Sequence, residues 1–162
     1  MNSLLRSRFR ITHRATASIL LLGLLSIVSA RADAPVSGTY LVNGKPVPLK
    51  YARAIKGEPF GGKDTTLVVF TQKDASKSKS PDADTMFGKL GGGLVITVTS
   101  DAELVGTQVV SKGVQFSASG NVKLSDFKAE GGKLTGKLAT DGQQTFFKDT
   151  WQIDLVFSVP AP

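Results

Sequence analysis

The chain has 162 residues, with 20 Lys and Arg against 13 Asp and Glu, and a formal net charge of +7. It contains no Cys and a single His, His13, which excludes disulfides and thiol chemistry and leaves one imidazole for any site that needs it. The length suits one domain with its own core.

Arg6, Arg8, Arg10 and Arg14 precede an apolar run from Ala15 to Ala30 that contains Ile19-Leu20-Leu21-Leu22-Gly23-Leu24-Leu25. A basic head, a short apolar stretch and a small-residue end predict a secretory signal peptide over residues 1–32. The run covers 16 residues, whereas a membrane-crossing helix needs roughly 18 to 20. Ala30-Arg31-Ala32 fits an A-x-A cleavage site and Val28-Ser29-Ala30 is a second one; an uncleaved anchor is the alternative. No Cys follows the run, which argues against lipid attachment.

Removal of the leader takes Arg31, the other four Arg and His13 with it, leaving 15 basic and 13 acidic residues, or +2, in residues 33–162. The high isoelectric point is then a property of the leader, so no nucleic-acid partner and no stable membrane span are expected. Without His or Cys, a Ser-His-Asp triad, a Cys nucleophile, a thiol redox pair and the usual zinc or copper sites are excluded. Met86 is the one Met left, which also argues against a thioether copper site. No cofactor is expected.

Val36, Tyr40 and Val42 alternate on one face of a predicted strand, and Asn43-Gly44 is the preferred pair for a type I′ hairpin turn. A two-residue loop there pairs Val42 with Lys45, Tyr40 with Val47 and Val36 with Tyr51, with Pro46 and Pro48 on an unpaired edge. Tyr51 to Ile55 follows, then a Gly-rich loop from Gly57 to Lys63, and Thr65 to Thr71 reads as a strand buried on both faces. Gln72 to Thr85 is polar and reads as a mobile loop, with Met86-Phe87 and Leu90 expected to tie its far end to the core.

Beyond Gly91-Gly92-Gly93, strands are predicted for Leu94 to Thr99, Leu104 to Val110 and Val114 to Ala118, with turns at Asp101-Ala102 and Gly120-Asn121. Leu124 and Phe127 are three apart, so a bulge near Ser125-Asp126 is needed to put both on one face. Gly131-Gly132 reads as a hairpin turn into a strand on which Leu134, Gly136 and Leu138 share a face. In the last segment Trp151, Ile153, Leu155, Phe157 and Val159 fall on one side of an extended chain, stopped by Pro160. Eight to nine short strands at these intervals predict an all-β fold, a single antiparallel β-sandwich or barrel over residues 33–162.

The opening Ser37-Gly38-Thr39-Tyr40-Leu41-Val42-Asn43-Gly44-Lys45 with Leu49-Lys50-Tyr51-Ala52-Arg53-Ala54, and the closing Thr140-Asp141-Gly142, Phe146-Phe147, Thr150-Trp151, Asp154 and Phe157, resemble the two ends of an all-β domain. That domain occurs in uncharacterised secreted bacterial proteins. The matching residues are turn and core positions, so the resemblance implies a single all-β domain and carries over no activity and no catalytic residue.

Asp82-Ala83-Asp84 places two carboxylates at i and i+2, a spacing open to calcium, although the Gly and distal Glu of an EF-type loop are missing. A glycosidase-like carboxylate pair would come from Glu58, Asp82, Asp84, Asp101, Asp126 or Asp154, and their spacing selects none. Gly91-Gly92-Gly93 and Gly61-Gly62-Lys63 lack the strand, spacing and helix of a phosphate loop. Lys73, Lys77 and Lys79 are candidates for an anionic partner such as phospholipid or acidic glycan, although Asp74, Asp82 and Asp84 in the same stretch neutralise them. Arg53, the one Arg after the leader, needs a carboxylate on the Tyr51 face or runs out beside the ring. A structural ion pair is expected ahead of a ligand anchor, and Arg53 is a candidate partner contact. Phe146 and Phe147 face opposite ways in an extended chain, so one is expected in the core and the other at a rim, where an exposed ring and Phe60 are candidates for a partner contact.

The expected function is an exported, periplasmic or secreted, non-catalytic domain that binds an envelope protein or glycan. A carboxylate- or calcium-dependent enzyme acting on envelope polysaccharide is the alternative, and a carrier of lipid or a small apolar ligand is the weaker one.

Overall fold

The computed structural model describes residues 34–162, and the expected leader with His13 lies outside the described residues. The elements in order are β1 (Val36–Val42), β2 (Lys45–Pro46), β3 (Tyr51–Phe60), β4 (Lys63–Thr71), α1 (Pro81–Met86), β5 (Gly93–Thr99), β6 (Leu104–Ser111), β7 (Val114–Ser117), β8 (Val122–Glu130), β9 (Lys133–Thr140), β10 (Gln144–Phe146) and β11 (Asp149–Pro160). They form two antiparallel sheets, ordered β2-β1-β11-β9-β8 with β10 on β11, and β3-β4-β5-β6-β7. The sheets do not close into a barrel, so the architecture is a sandwich. The strands outnumber the eight to nine predicted because β2 and β10 have only two and three residues.

Alternation along β11 decides the packing. Trp151, Ile153, Leu155, Phe157 and Val159 are all at most 2% exposed, while Asp154 and Val156 between them face solvent. β1 lies along one side of β11, with Val36 opposite Phe157 and Val42 opposite Trp151. Val36, Tyr40 and Val42 therefore join the same inward face. β9 flanks the other side and adds Leu134 and Leu138. Facing this layer are Val68, Phe70, Leu94, Ile96, Val98 and Val109 of the second sheet, and Phe70 meets Phe157 edge to face with ring centroids 5.4 Å apart.

The chain crosses between sheets where the prolines stand. Val42 opposes Lys45 and Leu41 opposes Pro46, and the Val47 amide donates to the Tyr40 carbonyl at 2.9 Å, as the two-residue Asn43-Gly44 loop requires. The pairing ends there, and the expected partnership of Val36 with Tyr51 is not formed. Pro46 and Pro48, whose nitrogens face away from β1 in this register, leave the outer edge of β2 without donors, and Tyr51 pairs instead with Thr71 in the second sheet. Gly57 to Lys63 is not a loop either: β3 runs on to Phe60 through an irregularity, and only Gly61-Gly62 turns the chain, both with positive φ. The bulge expected near Ser125-Asp126 is present, with Asp126 at φ 54° and the register shifted between Ser125 and Lys128.

β4 is buried on both faces, as its unbroken apolar run predicts. Val68 and Phe70 point between the sheets, and Val69 and Val95 are buried on the far side. The segment after β4 covers that far side. α1 packs on β4 and β5, Ala75, Leu90 and Thr85 are buried, and the Gln72 and Lys73 amides donate to the carbonyls of Gly92 and Leu90. The expected mobile loop is thus a hydrogen-bonded strap containing a six-residue helix. So short a helix has no periodic pattern to announce it.

Two substitutions test this packing. Gly38 has φ 111°, and a Cβ there would lie 2.1 Å from the Asp154 carbonyl oxygen, so Gly38→Ala should cost at least about 2 kcal/mol in urea unfolding. Thr107 is fully buried and its hydroxyl has no partner. Thr107→Val should therefore stabilise the fold by about 1 kcal/mol, and a loss of stability would show that the hydroxyl is satisfied.

Candidate functional site

Where β2 stops and the chain leaves the first sheet, the sandwich opens into a cleft of about 880 Å³. Its walls come from the β1–β2 turn, the strap around α1, the Gly91-Gly92 segment and the β6–β7 turn. Val42, Val47 and Val110 give it a buried apolar floor. The Gln72 side chain is half-buried in one wall, where its Oε1 accepts from the Gly92 amide at 2.6 Å. Gly92 leaves no room for a side chain, since a Cβ would fall 2.7 Å from Val47 Cγ1.

Behind the floor, Tyr40 crosses from the first sheet to the backbone of the second. Its hydroxyl accepts from the Val110 amide at 3.2 Å and donates towards the carbonyl of Gly93 at 3.0 Å or of Val110 at 3.2 Å. Burial pushes the phenol well above its ordinary pKa, against a smaller lowering by the Val110 bond, so it stays protonated. The rim is held as firmly. Asn43, at φ 52° in the β1–β2 turn, donates from Nδ2 to Asp149 and accepts at Oδ1 from the Thr150 amide, both at 2.8 Å. That clip ties the turn to the β10–β11 hairpin. At the tip of the hairpin Phe147 is 89% exposed and holds φ 52°, a conformation that bulky side chains rarely adopt. Its ring meets Phe146 edge to face at 4.8 Å, and Phe146 stacks on Phe116 at 4.6 Å.

The sequence candidates are distributed otherwise. Lys45, Lys112, Gln115 and Gln72 of the cleft are not among the sequence candidates for a site, because separated segments bring them together. Phe87, expected to anchor the strap in the core, is 79% exposed at the cleft, and Leu90 and Thr85 do the anchoring. Lys73, Lys77 and Lys79 are exposed on the strap and do not line the cleft. Lys73 Nζ donates to the Lys89 carbonyl at 3.3 Å. Phe60 stands at the β3–β4 turn, at the end of the second sheet away from the Ala52–Phe70 pairing. Phe116 belongs to the cross-strand row of Leu94, Val109 and Phe70, so Phe60 and Phe147 occupy opposite ends of the sandwich. Phe146, still 38% exposed, is the ring that packs and Phe147 the one at the rim.

Arg53 finds no carboxylate. It stands opposite Val69 on the far face of the second sheet, and its Nη1 donates to the carbonyls of Ala75 at 2.9 Å and Ser78 at 2.8 Å. The guanidinium therefore clamps the strap and lines a smaller hollow of about 380 Å³ with Asp74 and Pro160.

Asp82 and Asp84 lie in the first turn of α1. Lys89 and Ser78 both bond to Asp84, which holds its carboxyl below the usual range. Asp101 is lowered chiefly by Lys63 and also by Thr99, and Asp74 by the Ser76 amide and hydroxyl. Lys63 also reaches Glu103, at 3.5 Å. Asp154 lies 4.0 Å from Lys137 across the first sheet, and Glu58 and Asp126 are exposed on β3 and β8. Among the described residues no group of three or more His, Cys, Asp or Glu side chains gathers as a metal site, and no helix is long and apolar enough to cross a membrane. No family model, curated protein or solved structure matches the chain.

The Arg53 clamp depends on a planar fork that one ammonium does not reproduce. Arg53→Lys should lower stability by about 1 to 3 kcal/mol. It should also speed amide exchange at residues 75–78 while β4 and β5 keep their protection. Unchanged exchange in the strap would show that Arg53 does not hold it.

Proposed function

We propose that this chain is an exported, non-catalytic binding domain, periplasmic or secreted, whose ligand surface is the cleft between the β1–β2 turn, the strap and the β6–β7 turn. The observation that carries the reading is the cleft itself, about 880 Å³ in volume, with buried valines beneath and lysine, amide and aromatic side chains around it. A concave surface with an apolar floor and a few polar groups is the common form of a small-ligand or chain-binding site. Its lining contains no acid, and all of its hydroxyl and amide groups are uncharged, which suits recognition more than proton transfer.

The leader pattern of residues 1–32 and the absence of Cys support export of a domain that stands without disulfides. The space between the sheets is filled by Trp151, Phe157, Phe70 and their neighbours, which favours a ligand held at the open end over one enclosed in the interior.

The test is a pair of photo-crosslinking variants of the full chain, expressed in a bacterial envelope. One carries benzoylphenylalanine at Phe87 and the other at Val156, which is 53% exposed on the outer face of the first sheet. A discrete adduct from position 87 and none from position 156 is expected. Absence of an adduct at 87, or equal labelling at both, would overturn the assignment of the cleft.

A further inference from the structure

The charges around the cleft are one-sided. Lys45 and Lys112 line it, and no Asp or Glu does. Neither lysine forms an ion pair among the described residues, where the paired cations are Lys63, Lys89 and Lys137. The acids within two residues of the lining are already engaged, Asp74 by Ser76 and Asp84 by Lys89 and Ser78, and Asp149 accepts from Asn43 of the lining. Two lysines without an ion pair thus line a concavity with an apolar floor, an arrangement that raises the local concentration of anions.

The other groups narrow the class. Phe87 presents a ring that is 79% exposed, and Gln72 and Gln115 bring amides that donate and accept hydrogen bonds. Phe147 is not part of the lining, but it stands two residues from Asp149, which with Thr150 is clipped to Asn43 of the lining, so its ring is available to a ligand that extends past the rim. The positive φ at Phe147 costs the fold energy that an Asn there would not, and the ring, 89% exposed, meets Phe146 edge to face. Strain kept at an exposed aromatic tip points to use of that tip. Flat apolar ring faces, amides for hydroxyls and ammonium groups for carboxylates together describe a sugar chain that carries acid groups. A lipid surface would meet rings and lysines on a convex face, whereas here the lysines border a concavity.

We infer that the cleft binds an anionic saccharide, with its carboxylates on Lys45 and Lys112 and its ring faces on Phe87 and Phe147. This inference rests on the reading of the cleft as the ligand site. The experiment is titration of the protein, produced from the full-length chain, with an oligogalacturonate. A neutral glucan of equal length and vesicles of phosphatidylglycerol serve as comparison probes.

Expected is binding of the oligogalacturonate alone, weakening as salt rises and falling about tenfold in the double variant Lys45→Gln with Lys112→Gln. Phe87→Ala should weaken it with the salt dependence unchanged. Phe147→Asn should weaken it while the melting temperature holds or rises, a combination that a purely structural role for Phe147 would not give. Equal binding of the neutral glucan, or binding of the vesicles without the oligosaccharide, would overturn the anionic-saccharide inference. So would silence towards all three probes, and in each of these cases an adduct from position 87 would leave the cleft assignment standing.

Discussion

Burial of one face of β11 is the constraint on which the rest of the molecule depends. A strand flanked by β1 and β9 with five large apolar side chains on one side cannot leave that side in water, since each such group is worth about 2 kcal/mol when buried. A second apolar layer has to lie opposite, and β4, β5 and β6 provide it. The polar bridge between the layers, the Tyr40 hydroxyl on the backbone of Gly93 and Val110, is a smaller term. A neutral hydrogen bond contributes about 1 kcal/mol net, so apolar burial sets the stability. The bridge fixes how the two sheets sit at the end where the cleft lies, because a slip of one residue would strand the buried hydroxyl and the Val110 amide.

The fold was legible where local pattern and tertiary demand coincide. The alternation of Trp151 to Val159 and the glycine turns at Asn43-Gly44 and Gly131-Gly132 each follow from short-range rules. So does the bulge at Asp126, which brings Leu124 and Phe127 onto one face. The reading failed where a local pattern had two continuations. After Val47 the chain either extends the first hairpin or crosses to the other sheet, and periodicity is the same in both. The missing N–H groups of Pro46 and Pro48 face away from β1 and do not decide between the two; the chain crosses, with Tyr51 on Thr71. Gly57 and Gly61-Gly62 looked like one loop because Gly marks both bulges and turns; here it serves as each in succession.

The strap shows a different failure. Its charged and hydroxyl residues look like a solvated loop, and all but the buried Thr85 are exposed or half-buried, but its backbone is held by groups far away in sequence. Arg53 reaches Ala75 and Ser78 from β3, and Gln72 and Lys73 pair with Gly92 and Leu90. Composition reports what side chains do in water and says little about where carbonyls find donors. A lone Arg among apolar neighbours needs a partner, and that Arg53 meets a set of carbonyls is not encoded in spacing.

The cleft is illegible in sequence for the same reason that it exists. A sandwich has to stop somewhere, and at its ends strands give way to turns whose side chains have no inward face to fill. β2 is only two residues long, the strap lies over the far face of the second sheet, and the β6–β7 turn projects beyond Val110. The three boundaries leave a concavity whose walls are rigid, because Asn43, Tyr40 and Gln72 each lock a wall to the opposite segment by hydrogen bonds that leave nearby lysines uninvolved. In such an arrangement the structural polar groups and the solvent-facing ones are separate sets. The turns can therefore change their exposed residues without loosening the frame, and the uncompensated charge of Lys45 and Lys112 is a property of the surface and not a by-product of folding.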